Sequence, residues 1–374
     1  MELIVYNRDL ITQGVIDKII SLVWVRRFYS PGEFKLLVPF TEKHKELLKM
    51  YGIITKRGDT EAAEIKSVHI RKNTQGMEEI EVHGKFLSNW IGKRLVLNLI
   101  RETAAPQHLI SRIVAENVTN PANPLRRLNN ILQSSIAHIV RGHVEYISEP
   151  FINALIATQN LAKISALGFN ILVNARTRIY YFNIVEGRNL TSGQTVNHVA
   201  VFSVDFDNIL EQSYEHSTEQ KRTMAYVGGE ENALTPQRVV EVERNLSGFT
   251  RDEVFINASD INQTWRDNIG IEHTMTNAQY DALLHQRGIQ ELTYFSVVEA
   301  FSSKINTYAN LKYKVDYDLG DIVTCIDRRW GIVTNVPITE ITEVYQNHPH
   351  PEIEIVFGES LPTLAEQIRK INIQ

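Results

Sequence analysis

A chain of 374 residues is too long for one ordinary hydrophobic core, so two or more subdomains are expected. Its 43% hydrophobic and 22% charged residues are those of a globular protein, and a net charge of -5 excludes the broad basic field of a nucleic-acid binder. The single cysteine, Cys325, excludes an intrachain disulfide or a cysteine-based metal cluster and points to a reducing compartment.

The N-terminus turns polar too soon for a signal peptide, and no run approaches the length of a membrane span. Residues 19–27, 34–39, 63–70 and 79–83 alternate apolar and polar, which predicts an antiparallel β module over 1–98. Within it, residues 41–51 carry helical spacing at His44, Leu47 and Leu48, with Thr41 as cap and Gly52 as stop, and a short helix is predicted at 85–90. An α/β insertion follows over 99–198. Helices are expected at 107–116 after Pro106 and at 151–167 after Pro150, Gly168 ends the second, and 169–173 and 178–183 form a hairpin.

Strand patterning returns at 199–204, 208–214 and 221–227. Residues 199–229 and 291–358 are read as a second, discontinuous β module with strands at 291–301, 322–327, 331–345 and 352–357. A peripheral insertion at 230–290 interrupts it and holds a helix at 276–288 closed by Gly288; a C-terminal helix is predicted at 361–371 within 359–374. The fold class is α+β: two antiparallel β-barrel-like modules with an α/β insertion.

The distinctive short motifs are turns. In Pro31-Gly32-Glu33-Phe34 proline fixes one backbone angle and glycine tolerates a positive one. In Asp318-Leu319-Gly320-Asp321 the glycine supplies a positive angle and the aspartates bond nearby amides; with Asp316 they are also a possible cation set, but the terminal Glu of a calcium loop is missing. The pairs Arg26-Arg27, Arg126-Arg127 and Arg328-Arg329 read as solvated strand or loop faces, and residues 348–352, with two histidines between prolines, as a solvated hairpin loop. Trp24, Trp90, Trp265 and Trp330 read as core or subunit-contact residues, with a sugar platform as the alternative. Hydrolase and nucleotide-binding signatures do not occur, and Glu230, Glu231, Glu241 and Glu243 cannot be placed across a cleft from sequence. No catalytic residue, metal ligand or cofactor is therefore expected.

From Trp24-x-x-x-Phe28 and Pro31-Gly32-Glu33-Phe34 to Gly358-Glu359-Ser360, the order of segments resembles the siphovirus tail-tip hub family, whose members often form the N-terminal part of a tail-associated lysin. The strongest matches are Val82-His83-Gly84-Lys85-Phe86-Leu87, the segment from Glu253 to Asp260, and the Asp318-to-Asp321 turn. The resemblance implies a fold similar to baseplate hubs of contractile tails. It further implies a homotrimeric ring at the virion tail tip, assembled in the host cytoplasm, that closes the tube and connects distal tail and tape-measure proteins for host attachment and DNA delivery. A tail spike, fibre or lysin would be a further partner, and any lysin activity would reside on a separate domain or chain. The alternative is a cell-wall hydrolase or host-glycan-binding tail module.

Overall fold

The computed structural model describes residues 1–358 other than 73, 75, 99, 148–150, 231–235, 267–271, 293, 294, 296 and 347–350. The helix expected at 361–371 and the histidines at 348 and 350 lie outside the described residues. No helix among the described residues is long and apolar enough to cross a membrane.

The fold is α+β and mostly antiparallel. Its centre is one thirteen-stranded sheet. From one end its path runs Thr12–Ile16, Leu3–Tyr6, Ile53–Lys56, Ala62–Lys72, Glu78–Phe86, Glu33–Pro39 and Ser21–Arg27. It then crosses to Ile332–Gln346, Glu352–Gly358, Val298–Ile305 and Ile209–Ser217. The long strand Ile332–Gln346 bends at a register shift between Ile338 and Glu340, which lets its first half pair with Ile322–Asp327 and its second half with Ser21–Arg27. Ile322–Asp327 in turn pairs in parallel with Val201–Ser203.

The antiparallel α+β architecture is the one expected. No closed barrel forms among the described residues. The modules are two ends of one open sheet, because the antiparallel ladder from Ser21↔Gln346 to Arg27↔Glu340 joins them.

Each end has its own apolar packing. Ser21–Arg27 places Leu22, Trp24 and Arg26 on one face by strand alternation, and Trp24 packs against Phe34 and Phe86 at 5.8 and 4.7 Å between ring centroids. At the other end Phe202 meets Tyr317 and Phe357 at 5.1 and 5.0 Å. A third core gathers helices Pro106–Val114 and Ala154–Ser165 under the hairpin Leu167–Asn174 and Ile179–Glu186. A fourth packs helix Asn277–Leu292 on the small sheet of Met224–Gly228, Val239–Val242 and Glu253–Asn257.

Two glycines read as helix stops do other work. Helix Ala154–Ser165 ends at Ala166, which adopts the left-handed conformation at φ 53°, and Gly168 already lies in the following strand. Helix Asn277–Leu292 runs through Gly288, where an added Cβ would lie 2.5 Å from Val242 Cγ2 and 2.7 Å from Val227 Cγ2. The strand expected from 291 begins only at Val298.

Candidate functional site at the junction of the sheet

Arg26 and Arg27 are consecutive on a strand and therefore face opposite sides of the sheet. The solvated face expected for this pair is overturned for Arg26, which is 7% exposed. Its Nε donates to Glu61 at 2.7 and 2.9 Å, and its Nη1 donates to Tyr313 Oη at 2.7 Å and Asp318 Oδ1 at 2.5 Å. Tyr313 passes its own hydroxyl proton to a hydrogen bond with Glu343 Oε1 at 2.9 Å, and Glu343 also receives Lys56 and the Tyr345 hydroxyl. Lys314 donates to Asp59 at 2.8 Å. The network thus ties residues 26–61 to residues 313–345.

Burial opposes the Arg26 charge, but Glu61, Tyr313 and Asp318 outweigh it and push its pKa well above the usual value. Burial likewise works against Glu343 and Asp59. Lys56 and the Tyr345 hydroxyl hold Glu343 below the usual carboxylate range, and Lys314 and Lys56 hold Asp59 at about 2. Burial pushes the phenols of Tyr313 and Tyr345 up, so both stay protonated and act as donors.

On the opposite face Arg27 donates to Glu340 at 2.6 Å and to Glu33 at 2.8 Å, and Lys85 reaches Glu33 at 2.5 Å. Burial opposes the Glu33 charge, yet Lys85 and Arg27 lower its pKa to about 2. Glu33 of the Pro31-Gly32-Glu33-Phe34 turn is thereby linked to the other end of the sheet. Gly32 is not at a positive angle, contrary to expectation; its constraint is steric, since a Cβ would lie 2.1 Å from the Val25 carbonyl. Phe34 is buried directly across the ladder from Gly84, where a Cβ would fall 2.2 Å from the Phe34 ring.

Phe28, 4% exposed, fastens the third side. Its ring lies over Gly168 of the hairpin and Gly320 of the Asp318-to-Asp321 turn, 2.3 and 2.2 Å from where a Cβ would stand. Its N–H donates to the Thr339 carbonyl at 3.0 Å. Gly320 has φ 92°, the positive angle expected of it. Asp321 accepts the Arg188 N–H at 2.8 Å and its Nη2 at 2.6 Å, and the Asp318 N–H at 2.8 Å. Asp316 accepts the Lys312 N–H at 2.7 Å, so these aspartates serve turns and ion pairs. No cluster of three metal-ligating side chains occurs among the described residues.

Pro31 precedes Gly32 in the same turn. Gly32, Glu33, Phe34, Gly84, Asp318, Gly320 and Asp321 therefore belong to one junction. Asp260 does not: it pairs with Arg287 at 2.7 Å in the peripheral unit. Sequence reading missed Phe28 as a packing centre, along with Arg26, Glu61, Tyr313 and Glu343. The available signal was a charge inside an otherwise apolar alternation at Leu22, Trp24 and Arg26.

The junction binds charge to charge. Cys325 is fully buried and burial pushes its thiol up. What the sheet does offer outward is its edges: Thr12–Ile16 and Ile209–Ser217 each pair on one side alone among the described residues.

Residues 2–359 match the family described as Siphovirus ReqiPepy6 Gp37-like protein. No curated protein matches significantly. Among solved structures, a tail protein from Neisseria meningitidis MC58 is 11% identical with a TM-score of 0.55, over 96% of this chain and 97% of that one. The prophage MuSo2 43 kDa tail protein from Shewanella oneidensis is 10% identical with a TM-score of 0.52, over 96% and 97%. Prophage tail protein gp18 from Listeria monocytogenes EGD-e is 10% identical with a TM-score of 0.51, over 100% and 99%. At such identities the likeness is one of fold.

Proposed function

Because the chain belongs to the Siphovirus ReqiPepy6 Gp37-like protein family, we propose that it is a structural protein of the phage tail tip, acting without catalysis. Three copies form a ring that closes the tail tube, connects the distal tail and tape-measure proteins, and serves host attachment and DNA delivery. A spike, fibre or lysin would attach outside it, and assembly would take place in the host cytoplasm before the protein enters the virion.

The observation that carries this reading is the open sheet, whose end strands Thr12–Ile16 and Ile209–Ser217 each pair on one side alone among the described residues. Unpaired N–H and C=O groups along an edge are templates for strand addition, and a head-to-tail contact between two unlike edges closes into a ring when the rotation allows. Three such contacts, each joining Thr12–Ile16 of one copy to Ile209–Ser217 of the next, would close a threefold ring. The ion-paired junction supports this by holding both edges in one fixed relation.

Light scattering on the purified protein across a dilution series tests it, with images of the same sample. A mass of three protomers and a ring-shaped particle are expected. A monomer at every concentration, both alone and mixed with the distal tail protein, would sink the proposal.

A further inference from the structure

Arg94 and Arg126 are pinned against one another on the surface of the α/β region with no acidic partner among the described residues. Arg94 Nε donates to the Arg126 carbonyl, and Arg126 Nη2 donates to the carbonyl of Leu95, next to Arg94. Arg94 Nη1 donates to the Lys93 carbonyl at 3.0 Å, and Arg126 Nη2 also donates to Asn117 Oδ1 at 3.3 Å. Backbone oxygens fix both side chains but neutralise neither, and each guanidinium keeps N–H groups uncommitted. Desolvation and the neighbouring Arg94 charge lower the pKa of Arg126. In a chain of net charge -5, two adjoining cations without a carboxylate among the described residues run against the general balance.

The surroundings are apolar and exposed. Leu125, beside Arg126, is 91% exposed, and Leu95 and Leu97 are 44% and 42% exposed. Phe151, 65% exposed, is held at a positive φ of 63° by its N–H bond to the Val96 carbonyl at 2.7 Å. A bulky residue in that backbone conformation is strained, and here the strain accompanies an aromatic ring left in water.

We infer that the Arg94–Arg126 pair with Leu95, Leu97, Leu125 and Phe151 is a docking site for a partner-protein segment that interleaves carboxylates with apolar side chains. The fork of a guanidinium fits a carboxylate in two parallel hydrogen bonds, and the pre-fixed side chains lose little freedom on binding. The four apolar residues select against a phosphate polymer, which would leave them in water. The site does not depend on ring formation.

Fluorescence anisotropy tests this on the full chain. The probes are a labelled hexapeptide alternating Asp and Leu, its Asn and Leu counterpart, and single-stranded oligothymidylate. The acidic peptide should bind about tenfold tighter than the amide peptide, and Arg126→Gln and Leu125→Ser should each weaken it about tenfold. Arg57→Gln, at an exposed arginine elsewhere, should change nothing. Leu125 is too exposed for its replacement to unfold the chain, so that variant reports on docking alone. Equal affinity for both peptides, no binding by the unaltered protein, unchanged affinity in Arg126→Gln, or tighter binding of the oligonucleotide would overturn the inference. So would loss of the protein's native oligomeric mass in Arg126→Gln, which would assign the patch to contacts between copies.

Discussion

Removing the Arg26 guanidinium would leave Glu61 facing the interior without its cation. A stranded buried charge of this kind costs about 3–5 kcal/mol. Arg27, with its side chain 26% exposed, makes pairs worth about 1 kcal/mol or less. Urea unfolding should therefore show a much lower midpoint for Arg26→Met than for Arg27→Met; similar midpoints would contradict the buried network. The carboxylates give a second residue-level test. Glu33 and Asp59 have folded pKa values of about 2, and Glu343 is also depressed. Groups with depressed pKa contribute stability that is full above the unfolded value of about 4 and lost as pH falls through the folded one. The urea midpoint should accordingly fall between about pH 4 and pH 2, and Asp59→Asn should reduce that dependence. Cys325 should react with a thiol reagent only after unfolding, as its burial and raised pKa require.

Among the elements, alternation made the strands of the first 98 residues legible, and Thr41 was legible as a cap because its hydroxyl accepts the His44 N–H at 3.0 Å. The hairpin of Leu167–Asn174 and Ile179–Glu186 was equally readable from its two apolar runs. Glycine misled, because the same residue marks a helix end or a close approach. At an open helix position Gly→Ala gains about 1 kcal/mol. At Gly288 the new methyl would press on Val242 and Val227, so Gly288→Ala should instead destabilise by about 1–3 kcal/mol in thermal melts. The junction itself was not readable, since no local pattern says that Arg26 will meet Tyr313 and Asp318. Its turns could be found, but their common purpose rests on the Phe28 ring and on pairings between distant segments.

For the whole molecule, the ladder between Ser21–Arg27 and Ile332–Gln346 makes the two ends of the sheet one mechanical body. Amide hydrogen exchange should give both strands the same protection, at the free energy of the final unfolding transition; earlier exchange of this ladder would show that the ends open independently. The family and the α+β class followed from sequence, whereas the continuity of the sheet required knowing which strands are neighbours. That continuity also governs the order of events on the ribosome. Arg27 waits for Glu340, 313 residues later, and Arg26 for Asp318, 292 residues later. Throughout most of synthesis Ser21–Arg27 is a nascent strand with one flank bare, its arginines paired only with the early partners Glu33 and Glu61. Closing so long a loop is slow, and a bare flank invites the wrong chain. Completion of this fold is thus a late event in the life of the polypeptide, and the yield of soluble protein should depend on how well that interval is shielded.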